Sequence, residues 1–520
     1  MSDQIFTFVA LGLYFTAMLL IGWMAFRRTS THEDYMLGGR RLPSWVAALS
    51  AGASDMSGWL VMGLPGAIYA SGLIEAWIAI GLTIGAYLNW RLVAPRLRAY
   101  TELSRNSITV PSFFENRLRD KTRLLRMCSG IIILVFFTLY ISSGMVAGGV
   151  FFEASFHGDY LTGMLLVTGV TLAYTLFGGF LGASFTDVVQ GLMLVLALIV
   201  VPTSAVIAIG GFDETTTLIT ELAPDHFSLL SGTALTGGTT LAIVSALAWG
   251  LGYFGQPHIL VRFMALRSPQ EAKSARRIGI SWMIISLVGA VFSGLVGIAF
   301  VARNGADLTN PETVVLLMAQ TLLHPFVAGL VLAAVLAAIM STISSQLIVC
   351  SSALVEDIFA VLRKTPPSEK RLLTLGRVAV FTLALVAAVL ALVPDDTILG
   401  LVSFAWAGFG AAFGPIIMLS LFWRRLTNWG ALAGMLVGAI SVFAWKALGT
   451  GLYELLPAFV FATLSAIAVS LVTKRQDAEI DREFADARTM LALANAPRSS
   501  RRAATAKHTA PDGSHRAEYQ

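Results

Sequence analysis

The sequence predicts an all-α, polytopic membrane protein, and three observations carry that prediction. Hydrophobic residues make up 56% of the 520 positions and charged residues only 13%, where soluble domains carry about 25% charged residues. The apolar residues gather into runs of the roughly 20 positions that a helix needs to cross a bilayer, and the mean hydropathy is +0.74. The Lys and Arg residues then fall in alternate loops between those runs. That asymmetry is the positive-inside signature of a membrane protein, so the net charge of +5 does not indicate nucleic-acid affinity.

Thirteen spans are expected, at residues 5–26, 45–71, 74–95, 127–152, 160–178, 187–209, 239–262, 277–302, 321–353, 374–393, 398–422, 430–447 and 454–473. The first has no basic region before it and no small-residue cleavage site, so it reads as a retained helix. Arg27, Arg28, Arg40 and Arg41 occupy the first loop, and Arg96 to Arg126 crowd the third. Later loops on that side hold Arg267 with Arg276, Arg363 with Lys364, and Arg424 with Arg425, whereas Arg303 and Lys446 alone edge the opposite loops. This places the N-terminus outside and the C-terminus in the cytoplasm. Residues 210–238 form the longest outside loop. The domain plan is a membrane body over 1–473 and a cytoplasmic tail over 474–520, helical across 477–495 and then disordered.

Span 2 carries the chemistry. Within residues 51–66, AGASDMSGWLVMGLPG, Asp55 lies well inside an apolar run, where a charge costs roughly 2.5–3.5 kcal/mol on insertion scales. Gly52 and Gly58 flank it and Pro65 follows, so the helix can unwind locally and leave carbonyls free. No Lys or Arg in the span can pair with Asp55. A carboxylate beside free carbonyls suits a small hard cation.

Span 7 has a matching interruption. Residues 247–262, LAWGLGYFGQPHILVR, place Gly250, Gly252, Gly255 and Pro257 close together. Two broken helices five spans apart point to an inverted-repeat transporter, with spans 2–6 and 7–11 as the repeats and spans 1, 12 and 13 added. Trp249 and Tyr253 share one helical face, with Phe254 beside them, as an apolar wall with polar tips for a small substrate. Span 9 clusters the hydroxyls of Ser341, Thr342 and Ser345 within about one turn, alongside the Ala338 carbonyl, a low-charge oxygen set that suits an alkali cation. Tyr140 in span 4 is a further polar candidate. Asp187, at the start of span 6, is expected at the cytoplasmic interface in a capping or gating role.

The seven His residues show no metal-ligand spacing, Cys128 and Cys350 read as small core residues, and no phosphate-binding GxxxxGK[ST] loop occurs. The expected partners are therefore a small solute, a cation and membrane lipid, with no nucleic acid, no ATP, no cofactor and no catalytic residues. A symporter for a carboxylate or sugar, a proton-driven carrier, a channel and a transporter-like membrane sensor are the alternatives that residues alone leave open.

Four stretches carry a resemblance: residues 48–90, residues 249–265 (WGLGYFGQPHILVRFMA), residues 337–357 (AAIMSTISSQLIVCSSALVED) and residues 401–420 (LVSFAWAGFGAAFGPIIMLS). Together they resemble the sodium:solute symporter family, over residues 11–473. The resemblance implies a LeuT-like five-plus-five fold with thirteen spans, and sodium-coupled uptake of L-proline across a bacterial plasma membrane. It also implies site residues. The carbonyls of Ala53, Met56 and Ala338, the hydroxyls of Ser341 and Thr342, and Asp55 match the family's sodium site. Ser57, Gly58, Tyr140, Trp249, Tyr253 and Pro257 match its substrate residues, and Arg40 matches a functionally sensitive cytoplasmic arginine.

Overall fold

The computed structural model describes residues 2–27, 37–230, 236–362, 368–394, 396–473 and 479–495. Among them the chain is helical throughout, its only strand-like pairing a single bridge between Leu42 and Leu266. Ten helical stretches are long and apolar enough to cross a membrane, and Tyr160–Ala173 and Thr374–Leu390 are shorter apolar helices. Helices dominate because a bilayer offers no water to satisfy free backbone groups.

The first half begins with α1 (Ser2–Phe26), then the broken pair α2 (Ser44–Asp55) and α3 (Leu64–Ser71). It continues through α4 (Ala76–Leu88), α5 (Ala94–Leu103), α6 (Val110–Leu118), α7 (Leu124–Phe156) and α8 (Tyr160–Ile209). Spans 5 and 6 fuse in α8, broken at Gly179, whose φ of 57° and ψ of −164° suit a residue without Cβ. Part of the expected outside loop is helical: α9 (Phe212–Leu222) carries Asp213 and Glu214 in its first turn, where acidic groups favour the helix N-terminus. The segment after α9 lies over the α3–α4 connection, with the Trp77 indole donating to the Leu229 carbonyl at 2.9 Å.

The second half runs through α10 (Gly237–Gly252), α11 (Pro257–Ala265), α12 (Glu271–Asn304), α13 (Val314–Leu322) and α14 (Pro325–Ser352). It closes with α15 (Glu369–Leu390), α16 (Ile398–Phe422), α17 (Asn428–Leu448), α18 (Leu455–Val472) and the tail helix α19 (Glu479–Asn495). The stretch containing α14 is the innermost, 83% buried across its most apolar window, against 28% for α1, α17 and α18. That contrast agrees with spans 1, 12 and 13 lying outside the repeats. Small residues let the inner helices touch. A Cβ on Gly85 of α4 would lie 2.1 Å from the Gly250 carbonyl oxygen of α10, the close approach that replaces hydrophobic driving force inside lipid.

Of the basic loop residues read from the sequence, Arg28, Arg363 and Lys364 lie outside the described residues, as does the tail beyond 495. The helical part of the tail is docked. Phe484 sits 6.3 Å from the Tyr100 ring, and Arg119 pairs with Glu479 at 3.2 Å and Glu483 at 2.5 Å. Burial raises the Glu483 pKa, and the Arg119 charge opposes that rise.

Candidate cation and solute site

Both predicted helix breaks are present. α2 ends at Asp55, Met56 leaves helical geometry at φ −84° and ψ 81°, and a π-helical turn over Trp59–Gly63 resumes the helix. Gly58 follows the break because a Cβ there would come 2.9 Å from the Ala147 Cβ and 3.1 Å from the Ile339 Cγ1. α10 ends at Gly252, Tyr253–Gly255 forms a 3-10 turn, and Gln256 is extended at φ −76° and ψ 109°. Pro257 restarts the helix at its first position, where the missing N–H is no loss. The span 7 glycines also serve close packing. A Cβ on Gly252 would strike the Trp406 indole at 1.9 Å, and one on Gly255 the Phe409 carbonyl oxygen at 2.2 Å.

The two breaks meet at Asp55. The Tyr253 hydroxyl donates to its Oδ2, while Oδ1 is buried with no hydrogen-bond partner among the described residues. The Trp59 indole donates to the Asp55 carbonyl at 3.2 Å, and the Tyr140 hydroxyl reaches the same oxygen at 3.5 Å. Among the described residues no Lys or Arg pairs with Asp55, which is 1% exposed. Ser57 is buried on the unwound turn, and its Oγ accepts weakly from the Trp59 N–H at 3.5 Å.

α14 brings oxygens to the other side of the break. The Ser341 hydroxyl lies 2.9 Å from the Ala53 carbonyl and 3.0 Å from that of Ala338, and the Thr342 hydroxyl 3.3 Å from Ala338. These are hydrogen-bond lengths, and they gather oxygens of α2 and α14 at one point beside the break. Each hydroxyl can turn its hydrogen away and offer a lone pair. Met56 lies on the unwound turn one residue beyond Asp55. Ser345, read from the sequence with the same hydroxyls, is engaged elsewhere.

It belongs to a second buried network. Arg262 donates to Ser345 Oγ at 2.7 Å, to the His258 carbonyl at 2.7 Å, to Ser50 Oγ at 3.1 Å and to Asp187 Oδ2 at 3.2 Å. Ser50 in turn donates to Asp187 at 2.7 Å. The interfacial placement of Asp187 is therefore corrected. It is fully buried, and the pairing guanidinium in place of solvent is what makes the charge tolerable there. The network ties α2, α8, α11 and α14 together.

Trp249 lies one turn from Tyr253, within an aromatic layer. Its ring is 6.1 Å from Trp59, 6.4 Å from Trp406 and 5.5 Å from Tyr453. Pro257 is not in this layer. It lines a small cavity with Thr109, Phe180, Arg262 and Asp357. Arg40 is remote from Asp55, its guanidinium buried against Thr101, Asn106, Ser107 and the Met264 carbonyl at 2.7–3.1 Å.

Comparison with known proteins assigns this architecture. The family model described as "Sodium:solute symporter family" matches residues 35–438. The chain belongs to the sodium:solute symporter family. A relative named "High-affinity proline transporter PutP", from Bacillus subtilis (strain 168), is 55% identical over 471 residues, covering 90% of this chain and 98% of its own. A "Sodium/proline symporter" of Escherichia coli (strain K12) is 48% identical over 484 residues, 92% of this chain and 95% of the relative. A solved sodium-coupled sialic acid symporter, substrate-bound and outward-open, superimposes with a TM-score of 0.78 at 21% identity, covering 91% of this chain and 99% of that one. This last likeness establishes the shared LeuT-like fold.

Membership gives the geometry its context. In a sodium:solute symporter, broken helices at mid-membrane are where irregular backbone is tolerated because it lines a binding site. Sequence reading missed four residues that support the broken helices and the buried network beside them. Asn89 donates to the Tyr253 carbonyl at 2.8 Å, satisfying backbone freed by the break. Gln256 donates to the Trp406 carbonyl at 3.2 Å, and Trp406 to that of Trp249 at 2.8 Å. Arg262, the fourth, is the last residue of predicted span 7, where a cation reads as interfacial, and its buried partners came only with the structure.

Proposed function

We propose that this chain takes up L-proline together with sodium across the bacterial plasma membrane by alternating access. The observation that carries the cation half is the convergence of the Ala53 and Ala338 carbonyls with the Ser341 and Thr342 hydroxyls beside a broken helix bearing Asp55. The solute half rests on the names of relatives that match this chain over nine-tenths of its length.

In this reading Ala53, Met56, Ala338, Ser341 and Thr342 hold sodium through mostly neutral oxygens. Asp55 supplies the nearby negative charge, either as a ligand or by holding the unwound backbone. Ser57, Gly58, Tyr140, Trp249 and Tyr253 surround proline, a rigid solute that loses little further freedom in a preformed pocket. Pro257 lines a neighbouring cavity instead, and acts by restarting the helix after the break. Asp187, through Arg262, and Arg40, through its cradle of acceptors, hold the arginine-rich face closed. The membrane body covers 1–473 in thirteen crossings, with the N-terminus outside and the tail 474–520 in the cytoplasm.

Sodium-dependent proline binding by purified variants tests the reading. Ser341→Ala or Thr342→Ala removes one oxygen without stranding a charge, and is expected to raise the sodium concentration needed for half-maximal binding. Asp55→Asn keeps the shape and removes the charge, and is expected to be more damaging than either. Unchanged sodium dependence in both hydroxyl variants would place the cation away from α2 and α14.

A further inference from the structure

On the outer surface of the bundle α12 forms an apolar ridge between two grooves, and Ile284, Val288 and Phe292 line both. One groove, of about 490 Å³, runs between α12 and α4 along Ala79, Thr83 and Ile84. The other, of about 380 Å³, runs between α12 and α8 past Leu198 and Pro202. Beneath it the helices touch, since a Cβ on Gly289 would lie 2.6 Å from the Leu198 carbonyl oxygen. Ile84, Ile284 and Val288 are exposed, Val288 at 63%. Each groove has one hydroxyl, and each is turned back on its own helix. Thr83 donates to the Ala79 carbonyl at 2.7 Å and Thr203 to that of Ile199 at 2.6 Å. The grooves therefore offer hydrocarbon and no free side-chain donor.

The first groove ends in charge. Beyond Ile84 and Ile284, where α4 and α12 converge, the Arg276 guanidinium lies 5.3 Å from the centre of the Tyr87 ring. A half-exposed tyrosine with an arginine stacked on it belongs at the level of lipid headgroups. The opening turns of α12 carry Lys273, Arg276 and Arg277 against one carboxylate, Glu271. None of these three bases forms an ion pair among the described residues. A helix rises about 1.5 Å per residue, so Ile284 and Val288 lie about 12–18 Å beyond Arg276. One leaflet holds about 15 Å of a 30 Å hydrocarbon core. A charged head at Arg276 and a chain reaching Val288 match that depth.

We propose that this surface of α4, α8 and α12 is a binding site for an anionic diacyl phospholipid of the leaflet at the arginine-rich face. The phosphodiester meets Arg276 and Arg277, and the two acyl chains straddle the α12 ridge, one in each groove. The opposite face of α12 backs the broken helices: Met283 Sδ lies 3.9 Å from the Tyr253 hydroxyl, and a Cβ on Gly52 would strike the Trp282 ring at 2.5 Å. The bound lipid thus braces the helix on which the central site rests.

Photo-cross-linking of the full-length protein in phosphatidylcholine nanodiscs tests it. The probe is a trace of phosphatidylglycerol, or of phosphatidylcholine, with a diazirine in one acyl chain. Phosphatidylglycerol should label peptides covering 79–84 and 284–292 about tenfold or more above phosphatidylcholine, the excess expected of two arginines near an anionic headgroup. Arg276→Gln should lower that excess about fivefold, whereas Arg276→Lys, which keeps the charge, should retain it. The phosphatidylcholine background should be the same in both variants, which shows that they are folded. Thr83→Trp fills the first groove and should also remove the excess. Arg424→Gln, at an exposed arginine between α16 and α17, should leave it unchanged. Equal labelling by the two probes in the unaltered protein overturns the site. So does an excess that survives Arg276→Gln or Thr83→Trp, or one that Arg424→Gln lowers as far as Arg276→Gln does.

Discussion

Replacing Arg262 by Met should be among the most damaging single changes in the molecule. Asp187 is fully buried. Its Oδ2 accepts from Ser50 and Arg262, and its Oδ1 has no partner among the described residues. Without the guanidinium the carboxylate keeps one hydroxyl donor in a low-dielectric interior. Breaking a buried ion pair from one side typically costs about 3–5 kcal/mol, a large part of a native stability of about 5–15 kcal/mol. Asp187→Asn should cost less, because Arg262 retains Ser50, Ser345 and the His258 carbonyl, and its guanidinium lies 5.3 Å over the Phe180 ring. The double variant removes the stranded charge, so its loss should fall short of the sum by about 1–3 kcal/mol. Thermal unfolding of the four proteins in one detergent measures this cycle. Raising the salt should not reduce the coupling, since the pair is shielded from screening ions. Losses that add to within about 0.5 kcal/mol would refute an interaction between Asp187 and Arg262.

Two other perturbations follow from particular contacts. Tyr253→Phe removes the one donor to the Asp55 carboxylate among the described residues, and should raise the sodium needed for proline binding about tenfold, from about 1.5 kcal/mol or more for a hydrogen bond to a charged group. An unchanged sodium titration would separate Tyr253 from the cation site. Gly85→Ala drives a methyl into the Gly250 carbonyl, 2.1 Å away, and should destabilise by at least about 1–3 kcal/mol. Gly22→Ala, with no atom within 4 Å of the added carbon, should leave the melting temperature unchanged or higher. Equal melting temperatures for these two variants would contradict the packing of α4 on α10.

The parts of the site that the sequence exposes are those where one short stretch conflicts with its surroundings. Asp55 inside an apolar run, and glycines ahead of Pro257, mark the two breaks because a carboxylate and a helix restart are anomalous in lipid. Ser341 and Thr342 stand out because adjacent hydroxyls on one turn are readable locally. The Arg262–Asp187 pair was not legible in this way. The partners are 75 residues apart, and a charge near a predicted span end reads as interfacial until its neighbours are known. Asn89 was hidden for the same reason, since its partner is a carbonyl freed in another helix. The helix α9 was obscured because polarity alone does not distinguish a loop from a surface helix. Its signals were Gly211 before the first turn, acidic residues within it, and Thr215 and Ile219 on one buried face.

Uptake of labelled L-proline into proteoliposomes, with an imposed sodium gradient and membrane potential, tests the central claim most directly. One charge moved through 100 mV is worth about 2.3 kcal/mol, and a tenfold sodium gradient adds about 1.4 kcal/mol. For one sodium per proline, the sum of about 3.7 kcal/mol would sustain an accumulation of several hundred-fold, at about tenfold per 1.4 kcal/mol. The account predicts uptake that requires sodium outside, rises when the interior is made negative, and collapses when the gradient is dissipated. Accumulation that persists with choline in place of sodium would contradict it.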